Sequence, residues 1–332
     1  MNSIIDQSHG GARIEIDLRA GARIASLEIE GNELLVGRSS DPIGWGLYPM
    51  VPYAGRVRDG RFHYRGIEYS LTVTTGDHAI HGTVLDQHWT PESETTFICD
   101  LGKSWPFAGF ARQSIQLTAS AVSMHLEVHT DDPHMPASCG WHPWFVRELQ
   151  ASSAELKFDP GYMLERDSAG IATATSSPPT PGPWDDCFGD VAPYPSIRWP
   201  GVLSLSIESD CRYWVVYNQP EHALCVEPQT APPDNLNHNP QIVELGKPLE
   251  ARMTLRWGIE TLGDQDEHHP LGSSQHCEDR DREGDPCHSE WGELRSDSDR
   301  FARPRTRPPG GRQLTDPGCL RELRGTTRSR RH

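Results

Sequence analysis

Apolar residues in this chain recur at every second position, in short runs that glycine or proline soon breaks. Val122, Met124, Leu126 and Val128 alternate with Ser123, His125, Glu127 and His129, and Met253, Leu255, Trp257 and Ile259 alternate with Arg252, Thr254 and Arg256. Successive side chains of an extended strand point to opposite faces, so each run specifies a strand with one apolar face. Ile14 and Ile16 share a face within Ala12 to Leu18, and two further short runs lie between Ile24 and Val36, divided by a Gly31-Asn32 turn signal. Arg61–Tyr64 and Ile67–Tyr69 flank Arg65-Gly66 and read as a tight hairpin. No long segment carries a 3.6-residue period, and 30 Gly and 28 Pro supply turns for many short strands. The expected fold class is all-β, a large sandwich or barrel, with any helices confined to single turns in loops. The absence of a fixed-period repeat argues against a propeller.

The pattern stops near residue 262. Residues 1–262 carry 18 Lys/Arg and 33 Asp/Glu, whereas residues 263–332 carry 13 and 14 with only 11 apolar residues among 70. A segment so poor in apolar surface cannot offset its ordering entropy, so 263–332 is expected to be a disordered tail behind one domain, 1–262. The acidic body argues against nucleic acid or anionic membrane as principal partner. No run approaches the about 18 apolar residues of a membrane span, and the start of the chain lacks a signal-peptide pattern. Eight Cys without a Cys-x-x-Cys pair suggest neither a zinc ribbon nor a disulfide framework, and a cytoplasmic location is expected.

Five stretches hold polar groups that the strand pattern does not require. Leu224–Asn235 opens apolar, carries Glu227, then meets Pro228, Pro232 and Pro233; proline cannot donate to a ladder, so the strand is expected to end near Glu227. An isolated Glu there is ordinarily a solvated edge residue, but a carboxylate held where a rigid loop begins is also well placed for chemistry. Arg56 sits among small and apolar neighbours in Pro49–Gly60, either a surface side chain or a planar donor fork for a polyhydroxyl ligand. His81 precedes Gly82 as a strand-end residue or a ligand contact. His142, flanked by Trp141 and by Pro143-Trp144, reads as a half-buried imidazole, either a tuned acid or base or a satisfied core histidine. Trp184 with Asp185 and Asp186 pairs an aromatic face with carboxylates, a combination suited to sugar hydroxyls if the loop is not simply solvated. His125, Glu127 and His129 share a strand face and are a weak metal candidate, because alternation alone produces such a face.

In this order, P-Y-A-G-R-V-R-D-G-R-F, H-A-I-H-G, H-P-W-F, W-D-D-C-F and V-E-P-Q-T resemble the aldose 1-epimerase (galactose mutarotase-like) family over residues 10–260. The resemblance implies a large antiparallel β-sandwich. It implies Glu227 as general base and His142 as general acid, His81 positioning the ring oxygen, and Arg56 and Asp185 binding substrate; Trp184 and Trp141 are further expected substrate contacts. The chain departs from the family where Gly55 replaces a common Asn, Thr83 replaces a Gly, and Trp141 and Pro143-Trp144 flank the acid histidine in place of Asn and Tyr.

Exchanging anomers needs a proton taken from the anomeric hydroxyl and one given to the ring oxygen, so one carboxylate and one imidazole on opposite sides of the C1–O5 unit suffice, with no metal or organic cofactor. A free aldose is the expected substrate and the protein a monomer or homodimer. The alternatives are a hexose-6-phosphate mutarotase, for which Arg58, Arg61 and Arg65 would supply the phosphate site, and a non-catalytic sugar-binding module on the same scaffold.

Overall fold

A computed structural model of the chain describes residues 3–260; the expected tail, and Met1 and Asn2, lie outside the described residues. The strands form two large antiparallel sheets. The twelve-stranded sheet runs in the order Ile4–His9, Ala12–Asp17, Arg23–Ile29, Leu47–Met50, Gly140–Pro143, Ala223–Gln229, Tyr213–Tyr217, Asp185–Val191, Pro160–Arg166, Ala172–Ser177. Phe145–Val146 and Asn32–Glu33 pair beside this path. The eight-stranded sheet is centred on Gly109–Leu117, Ala121–Thr130, Leu249–Ile259 and Leu203–Ser209. Helix is limited to the single turns Arg58–Gly60 and Asn235–His238 among the described residues.

Alternation builds the core as expected. Ile14, Ile16 and Leu27 of the larger sheet share one contiguous core with Val122, Met124, Leu126 and Leu255 of the smaller. Each such side chain contributes about 1.5–3 kcal/mol when fully buried, which makes the pairing register of each strand hard to slip. The opposite face of Ala121–Thr130 is spent on local pairs rather than a metal cluster. His125 meets Glu250 across the neighbouring strand at 3.1 Å, and His129 lies 3.6 Å from Glu127 while stacking on Phe110.

One local reading holds and two change. The Arg65-Gly66 hairpin forms, with both residues at positive φ as a type I′ turn requires. The earlier turn is centred on Glu30-Gly31, because Asn32 already pairs with Ile29. The Glu227 strand does not end at the carboxylate but runs to Gln229. Its pairing with Gly140–Pro143 is confined to Gly140↔Gln229, and the next pairing on that side is Phe145↔Leu224. Pro228 falls in that gap, where its missing N–H costs no ladder bond.

Two buried polar side chains fasten the site to this frame. Trp141, fully buried in the core, donates its indole N–H to Gln113 Oε1 at 2.9 Å, and Gln113 donates to the Ala22 carbonyl at 3.0 Å. Gln113 belongs to the smaller sheet, so this chain of bonds ties the two sheets together directly behind His142. Trp141→Phe should therefore lower stability by about 1–3 kcal/mol, because it leaves a buried amide oxygen unpaired. Denaturant midpoints would measure the loss, and an unchanged midpoint would contradict the tie.

Arg23, 1% exposed, donates to the carbonyls of Ala20, Pro42, Trp45 and Leu85 at 2.7–2.9 Å and lies 4.0 Å from the Trp45 ring centre. Burial pulls its pKa down to about 10, which still leaves it charged at neutral pH. It clamps the segment carrying Pro42 and Trp45 to the segment carrying Leu85.

Candidate active site

Strand alternation sorts the central residues of the larger sheet. Leu224 and Val226 enter the core between the sheets, while Ala223 and Cys225 join a second apolar cluster with Tyr48, Met50 and Trp144 on the other face. Glu227 follows Cys225 on that outer face, in the middle of the sheet rather than at an edge. The same rule separates Trp141 from its neighbour: Trp141 points into the core and His142 points out.

His142 Nε2 lies 3.3 Å from Glu227 Oε1, and both side chains are almost wholly buried. Gln229, two residues on, donates its amide N–H to Glu227 Oε2 at 3.2 Å. The imidazole is stacked between Tyr48, at 5.1 Å, and Trp144, at 5.2 Å and nearly parallel. It is thus enclosed rather than half-buried. His81 meets it edge-on at 4.9 Å.

His81 occupies a left-handed backbone position, φ 58°, followed by Gly82 at 85°. Its N–H donates to the Gly55 carbonyl at 3.0 Å. A Cβ on Gly82 would fall 1.9 Å from the Val51 carbonyl oxygen, so only glycine lets the two segments approach this closely. Gly55, at φ 72°, has its side-chain space filled by Pro233, 2.8 Å from where a Cβ would stand. That explains why glycine stands where the resemblance leads one to expect asparagine.

Arg56 and Asp185 face each other at 3.6 Å, and Arg166 holds Asp186 at 2.8 Å. Together Arg56, His81, His142, Trp144, Asp185 and Glu227 line a cavity of about 300 Å³, with Tyr217 and Gln219 also at its wall. Five of the seven expected site residues are thereby brought together. Trp141 is in the core, and Trp184 packs against Phe158 and Phe188 with its indole N–H donated to the Thr180 carbonyl. Trp144, Tyr48 and Gln229 were missed; the aromatic run after His142 was the available signal, but not which of its two tryptophans faces the cavity.

The three arginines expected to form a phosphate site are engaged elsewhere. Arg58 pairs with Asp167 and with buried Asp234, Arg61 with Glu68, and Arg65 lies over Tyr64. None of them lines the cavity, and Arg56 is its cation among the described residues.

Burial disfavours charge throughout this site. It pushes the Glu227 carboxyl well above its usual range, with Asp185 adding to the effect, and pushes His142 well below the usual imidazole value, with His81 and Arg23 adding to it. Both shifts favour the uncharged forms, a protonated Glu227 beside a neutral His142. Burial, then Arg56, lowers His81 to about 3, so it serves only as a neutral hydrogen-bonding group.

The depressed His81 value has a stability consequence. An unfolded histidine takes up its proton near 6.5 and the folded one only near 3, so the unfolded state gains protons first as pH falls through that window. Stability is complete above about 6.5 and is lost toward 3, by a few kcal/mol from His81. His81→Gln should flatten this acid limb in melts recorded across pH; an unchanged limb would contradict the assignment.

His142, Cys225 and Glu227 each bring a ligand atom to within 4.8 Å of the others, and they are the residues that could hold a metal ion. An ion seated there would occupy both members of the proton-transfer pair.

The backbone follows that of a galactose mutarotase-like protein from Clostridium acetobutylicum, with a TM-score of 0.66, 17% identity and coverage of 77% of this chain and 95% of that one. It also follows a galactose 1-epimerase from Lactobacillus acidophilus NCFM, with a TM-score of 0.63, 14% identity and coverage of 76% and 93%. The fold is that of the galactose mutarotase-like β-sandwich proteins. In sequence the chain is 28% identical over 130 residues to the uncharacterized protein YphB of Escherichia coli K12, a match covering 36% of this chain and 43% of that relative. The match thus spans less than half the length of that curated relative. The aldose 1-epimerase family profile matches residues 5–256, and the chain belongs to that family. Among the described residues, no helix is long and apolar enough to cross a membrane.

Proposed function

We propose that this protein interconverts the α- and β-anomers of a neutral aldose by acid–base opening and closing of the ring. The observation that carries this reading is the His142–Glu227 contact at 3.3 Å, buried at the wall of a cavity of about 300 Å³. The anomeric hydroxyl and the ring oxygen are bonded to the same carbon, so two groups one contact apart can serve both. One member accepts the hydroxyl proton while the other releases its own to the ring oxygen; the open aldehyde turns about its C1–C2 bond, and the same two transfers run backward. Because the pair begins and ends with one proton, either anomer can be processed without an outside acid or base.

Arg56 and Asp185 are suited to hold ring hydroxyls through charge-assisted hydrogen bonds, with Trp144 beside the reacting pair. Arg56→Lys and Asp185→Asn should each raise KM by about 10–150-fold, corresponding to 1.5–3 kcal/mol, with kcat little changed. Because the two face each other at 3.6 Å, the double variant should lose less than the product of the single effects. Initial-rate kinetics check both statements, and a large fall in kcat at constant KM would remove these residues from the binding role.

The function itself is tested by following the optical rotation of freshly dissolved α-glucose and α-galactose. Acceleration proportional to protein concentration supports it; rates equal to buffer on both sugars and on other neutral aldoses would overturn it. Glucose 6-phosphate should be accelerated less than glucose, since the cavity offers Arg56 but no cluster of cations among the described residues.

A further inference from the structure

Cys225 stands two residues before Glu227 on one strand, so alternation puts both side chains on the outer face of the larger sheet. His142 comes to the same place from the neighbouring strand. The Cys225 sulfur lies within 4.8 Å of a ring nitrogen of His142 and of a carboxyl oxygen of Glu227, and all three residues are buried. Among the described residues no other three His, Cys, Asp or Glu side chains are placed to hold an ion. A buried cysteine is ordinarily a small, inert hydrophobe. Cys225 differs in having an imidazole and a carboxyl group beside its sulfur.

Nitrogen, oxygen and sulfur at this spacing suit zinc. Its bonds to them run about 2.0–2.3 Å, which sets tetrahedral ligand atoms roughly 3.3–3.8 Å apart. His142 Nε2 and Glu227 Oε1 already stand at 3.3 Å, and the sulfur has at most about 1 Å to close. Gln229 donates to Glu227 Oε2 at 3.2 Å and leaves Oε1 free, while Tyr48 and Trp144 stack on either side of the imidazole. Such support behind the ligands fixes their orientation.

His142 and Glu227 line the cavity of about 300 Å³, so an ion reaches the three groups from there and keeps its fourth position open to it. Zinc takes the thiolate and the carboxylate, so on binding Cys225 and Glu227 each release one proton to solvent, while neutral His142 gives up none. One divalent ion in place of two protons adds no net charge to the buried site.

We infer that His142, Cys225 and Glu227 form a site for a borderline-soft divalent cation, zinc, and that the bound ion switches the protein off by occupying the proton-transfer pair. The loss of turnover rests on the proposed mutarotation, whereas the site itself rests on the three ligands alone. Thiolate and imidazole select zinc over magnesium and calcium, which favour oxygen.

The test compares the full chain, freed of metal by a chelator, with its Cys225→Ala variant. Residues 263–332 carry further His and Cys, which both proteins keep, so the difference between the two isolates the site. Calorimetry should find one zinc site in the parent that Cys225→Ala weakens by about 100-fold or more, since loss of a group behind a ligand already costs about 10–100-fold. Cobalt(II), a coloured stand-in for zinc, should give a thiolate-to-metal charge-transfer band in the parent-minus-variant spectrum. Zinc should stop the parent's mutarotation of glucose in step with occupancy. Cys225→Ala should keep its turnover and escape the block, and magnesium at the same concentration should affect neither protein. Glu227→Gln keeps the shape of its side chain and should weaken zinc as well, an arm that remains if Cys225→Ala does not fold.

Equal zinc affinity and stoichiometry in parent and Cys225→Ala, or no cobalt–thiolate band in their difference, overturns the site. Binding that depends on Cys225 but leaves turnover undiminished overturns the inhibition. If zinc binds through Cys225 and neither protein accelerates any sugar, the site stands and the mutarotase reading falls.

Discussion

Under the proposed reaction, Glu227→Gln should lower kcat by about 10²–10⁴-fold while sugar binding survives, the effect expected when one positioned proton-transfer group is removed. The substitution keeps the shape of the side chain and leaves it beside Gln229 and His142, so the loss isolates the proton. His142→Asn should cause a loss of the same order, and the double variant should lose less than the product, because a pair that shares one proton would work as a unit. The pH dependence is the sharper part of this expectation. The proposed reaction needs one proton on the pair. A second proton must go onto His142, whose affinity for it burial has lowered, so the acid limb of kcat/KM lies below the ordinary imidazole value of 6.5. The last proton leaves from Glu227, which burial has raised, so the alkaline limb lies above the ordinary carboxyl value of 4.5. The profile is a broad bell whose limbs belong to the pair. It also inverts the simpler assignment of an ionised carboxylate and a charged imidazole. Glu227→Gln should remove the alkaline limb; persistence of that limb, or catalysis near the parent rate on every sugar the parent turns over, would sink the assignment.

Arg23→Met should destabilise the protein by about 2–4 kcal/mol. Two large effects oppose each other here. Methionine relieves the cost of holding a cation out of water, which is several kcal/mol in real proteins. It also strips donors from four carbonyls, each bond to a charged group contributing about 1.5–3 kcal/mol. No carboxylate is among these partners, so nothing charged is left stranded, but the carbonyls of Trp45 and Leu85 are bonded to the guanidinium in buried surroundings and methionine offers them nothing. Loss of hydrogen bonds therefore wins. Arg23→Lys should fall between, since three donors on one nitrogen cannot reach four carbonyls spread around a planar fork. Equilibrium unfolding in denaturant reads the difference, and a midpoint unchanged in both variants would show that the clamp contributes nothing.

The alternation of residues such as Val122 to Val128, the Arg65-Gly66 turn and the scarcity of helical period are local properties, and by themselves they determined an all-β chain with these strands. The identity of the polar residues that the pattern did not need, Glu227, His142, His81, Arg56 and Asp185, was equally legible, because each broke a local rule or sat beside a proline or glycine. What sequence could not decide was the direction in which neighbours point when both faces of a strand are buried. Trp141 and His142 are both enclosed, so hydropathy does not distinguish the residue that ties the sheets together from the one that faces the cavity. The choice of Trp144 over Trp141 and Trp184, the continuation of the strand through Pro228 and the clamp made by Arg23 all depend on partners far away in the chain. The same holds for the raised pKa of Glu227. Its 3.3 Å contact with His142 and its lack of water exist only once Gly140–Pro143 and Ala223–Gln229 lie side by side in the middle of the larger sheet, and a carboxyl's preference for charge is set by what surrounds it.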